Sequence, residues 1–142
     1  MTTATMQNTK SRLRAVPPQT IQKRLKMMLF GAAGVGKTTA ALQFPHAYII
    51  DTEKGTIHYE KIIKESGSVV FQTTDIHEVV DEVKSLITET HDYRTLIIDS
   101  ITPLYQDLLD KSEAKVGTEW GRHYGEANKH MKRLVNLLMT LD

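Results

Sequence analysis

Phe30-Gly31-Ala32-Ala33-Gly34-Val35-Gly36-Lys37-Thr38-Thr39 decides how this chain is read, because it fits the pattern G-x-x-x-x-G-K-[ST] at every fixed position. Gly31, Gly34 and Gly36 reach backbone angles closed to other residues and put no Cβ in the way, so successive N–H groups can turn inward around phosphate oxygens. Ala32, Ala33, Val35 and Thr39 supply the remaining backbone of that cradle. Lys37 brings a mobile ammonium for the β- and γ-phosphates, and the Thr38 hydroxyl is a ligand for Mg²⁺. The flanks agree with the motif. Lys26-Met27-Met28-Leu29-Phe30 is a short apolar run that predicts a buried strand, with at least one of the two methionines in the core. Thr38 to Phe44 predicts a short helix ending before Pro45, whose N-terminal partial positive charge faces the phosphates. The bland alternative is a glycine-rich turn that matches by accident.

At 142 residues the chain is long enough for one domain with a sizeable core and too short for two ordinary ones. It has no cysteine, which excludes a disulfide framework and thiolate metal sites and accords with a reducing cytoplasm. No apolar run approaches a membrane span and the polar N-terminus lacks a signal-peptide core, so a soluble cytoplasmic protein without membrane contact is expected. The net charge of +1 is unevenly spread. Residues 1–50 carry Lys10, Arg12, Arg14, Lys23, Arg24, Lys26 and Lys37 and no acid, whereas residues 51–142 carry 11 basic and 17 acidic residues, which sets +7 against −6. A basic arm of this kind can touch nucleic-acid phosphate; a solvated tail is the plainer account.

Residues 1–20, rich in Thr, Gln, Asn and Ser and containing Pro17-Pro18, read as a disordered or extended arm, and the folded domain is expected over 21–142. Ala47–Asp51 predicts a second buried strand, Thr56–Ser66 a short helix ended by Gly67, and Ser68–Gln72 a third strand. Asp75 is a fitting N-cap with Glu78 at the capping-box position, ahead of Ile76, Val79, Val80, Val83, Leu86 and Ile87 at helical spacing. Thr95–Ser100 predicts a strand buried on both faces. A helix from Thr102 to about Lys115 follows, with Pro103 in its first turn and Leu104, Leu108 and Leu109 inward. Gly117 and Gly121 bracket a loop. The last helix, about Tyr124 to Leu141, sets Met131, Leu134, Val135, Leu138 and Leu141 on one side. This alternation indicates an α/β domain, a mainly parallel sheet with helices on both faces. The pattern stops straight after a helix where a strand is expected, so a truncated domain is expected.

Leu96-Ile97-Ile98-Asp99 looks like a Walker B strand, which carries a carboxylate to the carboxyl edge of the sheet where Asp99 can hold Mg²⁺ through its water shell. Many ATPases place a catalytic Glu directly after that Asp, whereas here Ser100 follows. The best candidate for a hydrolytic base is Glu53, also just past a buried strand and able to orient a water against the γ-phosphate. A surface loop carboxylate is the alternative reading of Glu53.

Gly31–Thr39, Ile49-Ile50-Asp51-Thr52-Glu53 and Leu96-Ile97-Ile98-Asp99-Ser100 resemble, in the same order, the motifs of the RecA-like P-loop ATPase core. The closer likeness is to phage and bacterial nucleotide-binding proteins of the AAA type, some of which act in single-strand annealing and recombination. It covers about residues 27 to 140 and also rests on Gln43-Phe44-Pro45-His46-Ala47, the Asp-Thr-Glu-x-Gly run and Trp120-Gly121-x-x-Tyr124-Gly125. The resemblance implies ATP binding with Mg²⁺, catalytic roles for Lys37 and Glu53, and Thr38 and Asp99 at the metal. It also implies a strand after the final helix, between the phosphate-loop strand and the Walker B strand, bearing a polar sensor of the γ-phosphate; that strand is absent from this sequence, as is the DNA-contacting loop of true recombinases.

Other readings fit less well. A GTPase needs Asn-Lys-x-Asp, and Asn128-Lys129-His130-Met131 lacks the Asp. Partitioning ATPases carry a second lysine where Ala32 stands. A small-molecule kinase would use an arginine-rich lid, for which Arg122, Lys129, Lys132 and Arg133 are the only dense late cations; a solvated helix face explains them as well. His46, His58, His77, His91, His123 and His130 show no metal spacing, and Trp120 is expected to be half-buried in packing, with stacking on a base as the alternative. Two hypotheses remain: an ATPase or ATP switch acting on DNA, and a nucleotide-binding module without autonomous hydrolysis. Expected partners are the nucleotide, with single-stranded DNA and a homo-oligomer as candidates.

Overall fold

Ala47–Asp51 (β1) is the centre of the sheet because its Ile49 and Ile50, pointing to opposite faces, are both fully buried. Parallel strands flank it: Val69–Gln72 (β2) on one side and Thr95–Asp99 (β3) on the other, in the order β2-β1-β3. The register pairs Ile50 with Phe71 and with Ile98, and brings Asp51 level with Gln72 and Asp99 at the carboxyl edge. In this computed structural model the described residues are 24–141, so the arm over 1–20, Ile21 and Asp142 lie outside them.

Alternation along the strands builds one cluster on each face. Ile50, with the partly buried Tyr48, Leu96 and Ile98, packs against helices Ile76–Thr88 (α3), Ile101–Val116 (α4) and Arg122–Leu138 (α5) through Ile76, Val79, Val83, Leu104, Leu108, Ala127 and Leu134. Ala47, Ile49 and Ile97 face the other way onto Leu42, just past the short helix Lys37–Ala41 (α1), and onto Ile63 of helix Glu60–Glu65 (α2). Helices therefore cover both faces, as the α/β reading expects. Complete burial of a side chain such as Ile50 or Leu104 contributes about 1.5–3 kcal/mol, and the wider face of the sheet carries most of it.

Apart from the strand expected at 26–30, the strands and helices expected from spacing form within a few residues of their predicted bounds, with the 56–66 segment split into a 3-10 turn Gly55–Tyr59 and α2. Asp75 caps α3 by accepting from the His77 N–H at 2.7 Å. Glu78 does not close a capping box. The Thr73 hydroxyl donates to Glu78 and itself accepts from the Asp75 N–H at 3.0 Å, so a threonine stands between the two halves of the motif.

Five expectations fail. Residues 24–30 form no strand, and Met27, Met28 and Phe30 are exposed at 54%, 75% and 89%. A strand holds only when its N–H and C=O groups meet a neighbour, and among the described residues no strand pairs with this stretch. Neither methionine is in the core. β3 is buried on one face only at Ile97, its other residues being half-buried, because its outer edge has no partner strand among the described residues. Trp120 is 98% exposed rather than half-buried, since Gly117 and Gly121 bring the chain around a turn that swings it away from α4 and α5. On α5, Val135 is exposed and Leu137 packs inward.

Candidate functional site

The carboxyl edge of the sheet and the N-terminus of α1 meet. The Thr38 hydroxyl, 61 residues away in sequence, donates to Asp99 Oδ2 at 2.6 Å. Two hard oxygens side by side, one hydroxyl and one carboxylate, form a donor pair that suits Mg²⁺, which takes one or two protein oxygens and completes its shell with phosphate and water. The phosphate loop itself is open. Gly34 and Gly36 have φ of 79° and 91°, and a Cβ at either would meet nothing within 4 Å, so both glycines serve conformation while leaving space above the loop. The Lys37 ammonium folds back and donates to the carbonyls of Gly31 at 3.0 Å and Ala32 at 2.9 Å. Ala32, Ala33, Val35 and Thr39 are exposed, and the Thr39 hydroxyl lies 3.3 Å from the Tyr59 hydroxyl.

The other half of the site is a dense hydrogen-bonded turn after β1. The Asp51 carboxylate, 2% exposed, accepts from the N–H groups of Glu53 at 3.1 Å, Gly55 at 3.3 Å and Thr56 at 3.0 Å, and from the Thr56 hydroxyl at 2.5 Å. Burial pushes this carboxyl up, and the bonds from Thr56, Glu53 and Gly55 outweigh it, so its pKa lies below the ordinary value of 3.8. Thr52 ties the turn to the end of β3. Its N–H donates to the Asp99 carbonyl at 2.9 Å, its hydroxyl donates to the Ser100 carbonyl at 2.7 Å and accepts from the Ser100 N–H at 2.8 Å. The Asp99–Ser100 peptide is cis. Glu53, exposed, accepts from the Ser100 hydroxyl.

Glu53, Asp99, Thr38 and Lys37 thus share one edge. Asp51, Thr52, Thr56 and Ser100 shape the site, a part that the motifs marking it do not assign to them. A signal existed for Asp51: an Asp followed two to five residues on by Gly and Thr is the composition of an Asx-type turn, in which the carboxylate accepts from the backbone just ahead. Thr52 had no local signal, because its partners lie 48 residues away.

Two surface depressions lie elsewhere, one of about 590 Å³ between α4 and α5 lined by Lys115, Arg122, Glu126 and Lys129, the other of about 470 Å³ lined by His46, His91 and Arg94. The candidate site is instead an open shelf at the sheet edge. No group of three or more His, Asp or Glu able to hold a metal occurs among the described residues. No helix among them is long and apolar enough to cross a membrane.

Compared with known proteins, residues 23–142 match the family model of the AAA domain. No curated protein and no solved structure matches the chain.

Proposed function

The chain belongs to the AAA domain family of P-loop ATPases, and from that premise we propose that it binds ATP with Mg²⁺ on the Gly31–Thr39 loop and hydrolyses it to ADP and phosphate. The observation that carries this reading is the Thr38 to Asp99 hydrogen bond, which joins the phosphate loop to the Walker B carboxylate. In the bound state the Lys37 ammonium leaves the carbonyls of Gly31 and Ala32 for the β- and γ-phosphate oxygens, an exchange of neutral acceptors for charged ones. Bound Mg²⁺ supplies charge neutralisation at the phosphates. Glu53 orients a water in line with the γ-phosphorus and takes its proton as the bond from that phosphorus to the β–γ bridging oxygen breaks.

The test is Glu53→Gln. It is expected to lower the hydrolysis rate by about 10²–10⁴-fold while Mg·ATP affinity, followed with a fluorescent nucleotide, holds. Hydrolysis by that variant at the wild-type rate would remove Glu53 from the base role.

A second reading, a nucleotide-binding module that does not turn over alone, draws on the outer edge of β3, which has no partner strand among the described residues. Equal and negligible hydrolysis by both proteins, with Mg·ATP still bound, is its signature. The finer setting in single-strand annealing or recombination is supported by the order of the three motifs and by Trp120, whose 98% exposure leaves its ring free to stack on a base. Single-stranded DNA should then quench the fluorescence of Trp120, the single tryptophan of the chain, and Trp120→Ala should weaken binding of a labelled single-stranded oligonucleotide followed by its anisotropy.

A further inference from the structure

Glu53 is an exposed side chain at the tip of a turn, and exposed glutamates ordinarily sample many rotamers. Here its backbone is held from both sides. The Asp51 carboxylate gathers the N–H groups of Glu53, Gly55 and Thr56 and the Thr56 hydroxyl, while Thr52 locks the intervening residue to the end of β3 at Asp99 and Ser100. Between these two ties the Glu53 carboxylate meets the Ser100 hydroxyl, next to the carboxylate that bonds Thr38. We propose that Asp51 is the positioning residue for Glu53: its buried carboxylate organises residues 51–56 so that the base stands at a fixed place relative to Asp99. Asp51 touches neither nucleotide nor metal in this scheme. The inference rests on the reading of Glu53 as the base.

The chemistry explains why the residue is an Asp. Four donors converge on two oxygens, and only an ionised carboxylate offers acceptors on both sides. An asparagine of the same shape must turn an NH₂ group either toward the N–H groups of Glu53 and Gly55 or toward the Thr56 N–H and hydroxyl; the hydroxyl can reverse and accept, but at least one backbone N–H then faces a donor and loses its bond. A displacement of about 1 Å in a reacting group can reduce rate about a hundredfold, which sets the scale of effect for a base released from its turn.

The experiment uses the full chain with Asp51→Asn, Thr56→Val and Thr56→Ser. Asp51→Asn is expected to lower kcat for ATP by about tenfold to a hundredfold with KM within about twofold, Thr56→Val to fall between it and wild type, and Thr56→Ser, which keeps the hydroxyl, to restore the wild-type rate. A readout independent of turnover accompanies this: amide hydrogen exchange should quicken about tenfold or more in Asp51→Asn at the amides its NH₂ group faces, Glu53 and Gly55 or else Thr56, as expected for lost hydrogen bonds, and the Glu53 side-chain NMR resonances should collapse toward averaged positions. If the wild-type chain does not hydrolyse ATP, or Glu53→Gln is silent, the base reading fails, while the exchange and side-chain signals still decide whether Asp51 fixes Glu53. Wild-type exchange and a fixed Glu53 in Asp51→Asn would overturn the proposal, as would an equal loss of kcat and nucleotide affinity, which marks general structural damage. Should Asp51→Asn not fold, Thr56→Val removes one donor and leaves the carboxylate, and the same readouts apply to it.

Discussion

The two halves of the candidate site are built in opposite ways. The turn Asp51–Thr56 is anchored on a buried carboxylate with four donors and stitched to β3 by Thr52, so its shape is determined by the protein alone. The phosphate loop is exposed, with empty space around Gly34 and Gly36 and with Lys37 folded onto the loop's own carbonyls. One half is fixed by internal hydrogen bonds and the other is open to solvent. The physical reason is charge: a carboxylate can be satisfied by the N–H groups of its own chain, whereas the Lys37 ammonium meets only neutral carbonyls of its own loop and is matched better by an anion from outside.

The largest effect that would break this contrast is on stability. Asp51→Ala strands three N–H groups and a hydroxyl and is expected to cost about 2–3 kcal/mol, read by denaturant unfolding of the nucleotide-free chain. Lys37→Ala, touching only exposed carbonyls, should leave that midpoint unchanged. The pH profile follows the same line. Because the Asp51 carboxyl sits below 3.8 when folded, its contribution is complete above that value and is lost as pH falls through its lower folded pKa, so acid unfolding should be shallower in Asp51→Asn.

Next in size is ligand binding, where the ranking reverses. Lys37→Ala is expected to weaken Mg·ATP binding by about 1.5–3 kcal/mol, the worth of hydrogen bonds to charged groups, or roughly tenfold to 150-fold, measured by calorimetry. Asp51→Asn should bind like wild type. Equal losses in both variants would erase the division between a preorganised half and a ligand-organised half.

The smallest effect lies away from the site and calibrates it. Glu126 accepts from Lys115 of α4 and Lys129 of α5, and those two ammoniums hold its carboxyl down at about 2. This pair-bridging carboxylate is partly buried, but both lysine partners are exposed, so Glu126→Gln should lower Tm only slightly. The difference should be fully present above 4.5, fade as pH falls through about 2, and shrink with added salt.

Much of the fold was legible in the residues. The apolar runs at Ala47–Asp51 and Thr95–Asp99, the N-cap Asp75 and the spacing of Ile76, Val79, Val80 and Val83 are local signals, and each has its structural counterpart. The apolar run at 26–30 looked equally like a strand and is not one, because apolarity and length say nothing of a neighbour to pair with. The exposure of Trp120 has a related cause: whether a large ring is covered depends on how Gly117 and Gly121 turn the chain between two helices.

By itself the sequence determined the chemical parts: a loop of glycines with a lysine and a hydroxyl, and carboxylates at the ends of buried strands. Those follow from residue type and short-range spacing, which act within a few residues. Only the tertiary structure decided that Thr38 meets Asp99, that Ser100 meets Glu53, and that Asp51 turns inward to organise the chain rather than outward to act. These contacts join residues 47 or 61 positions apart or depend on burial, and both are consequences of how parallel strands register across a sheet and how the chain packs onto it.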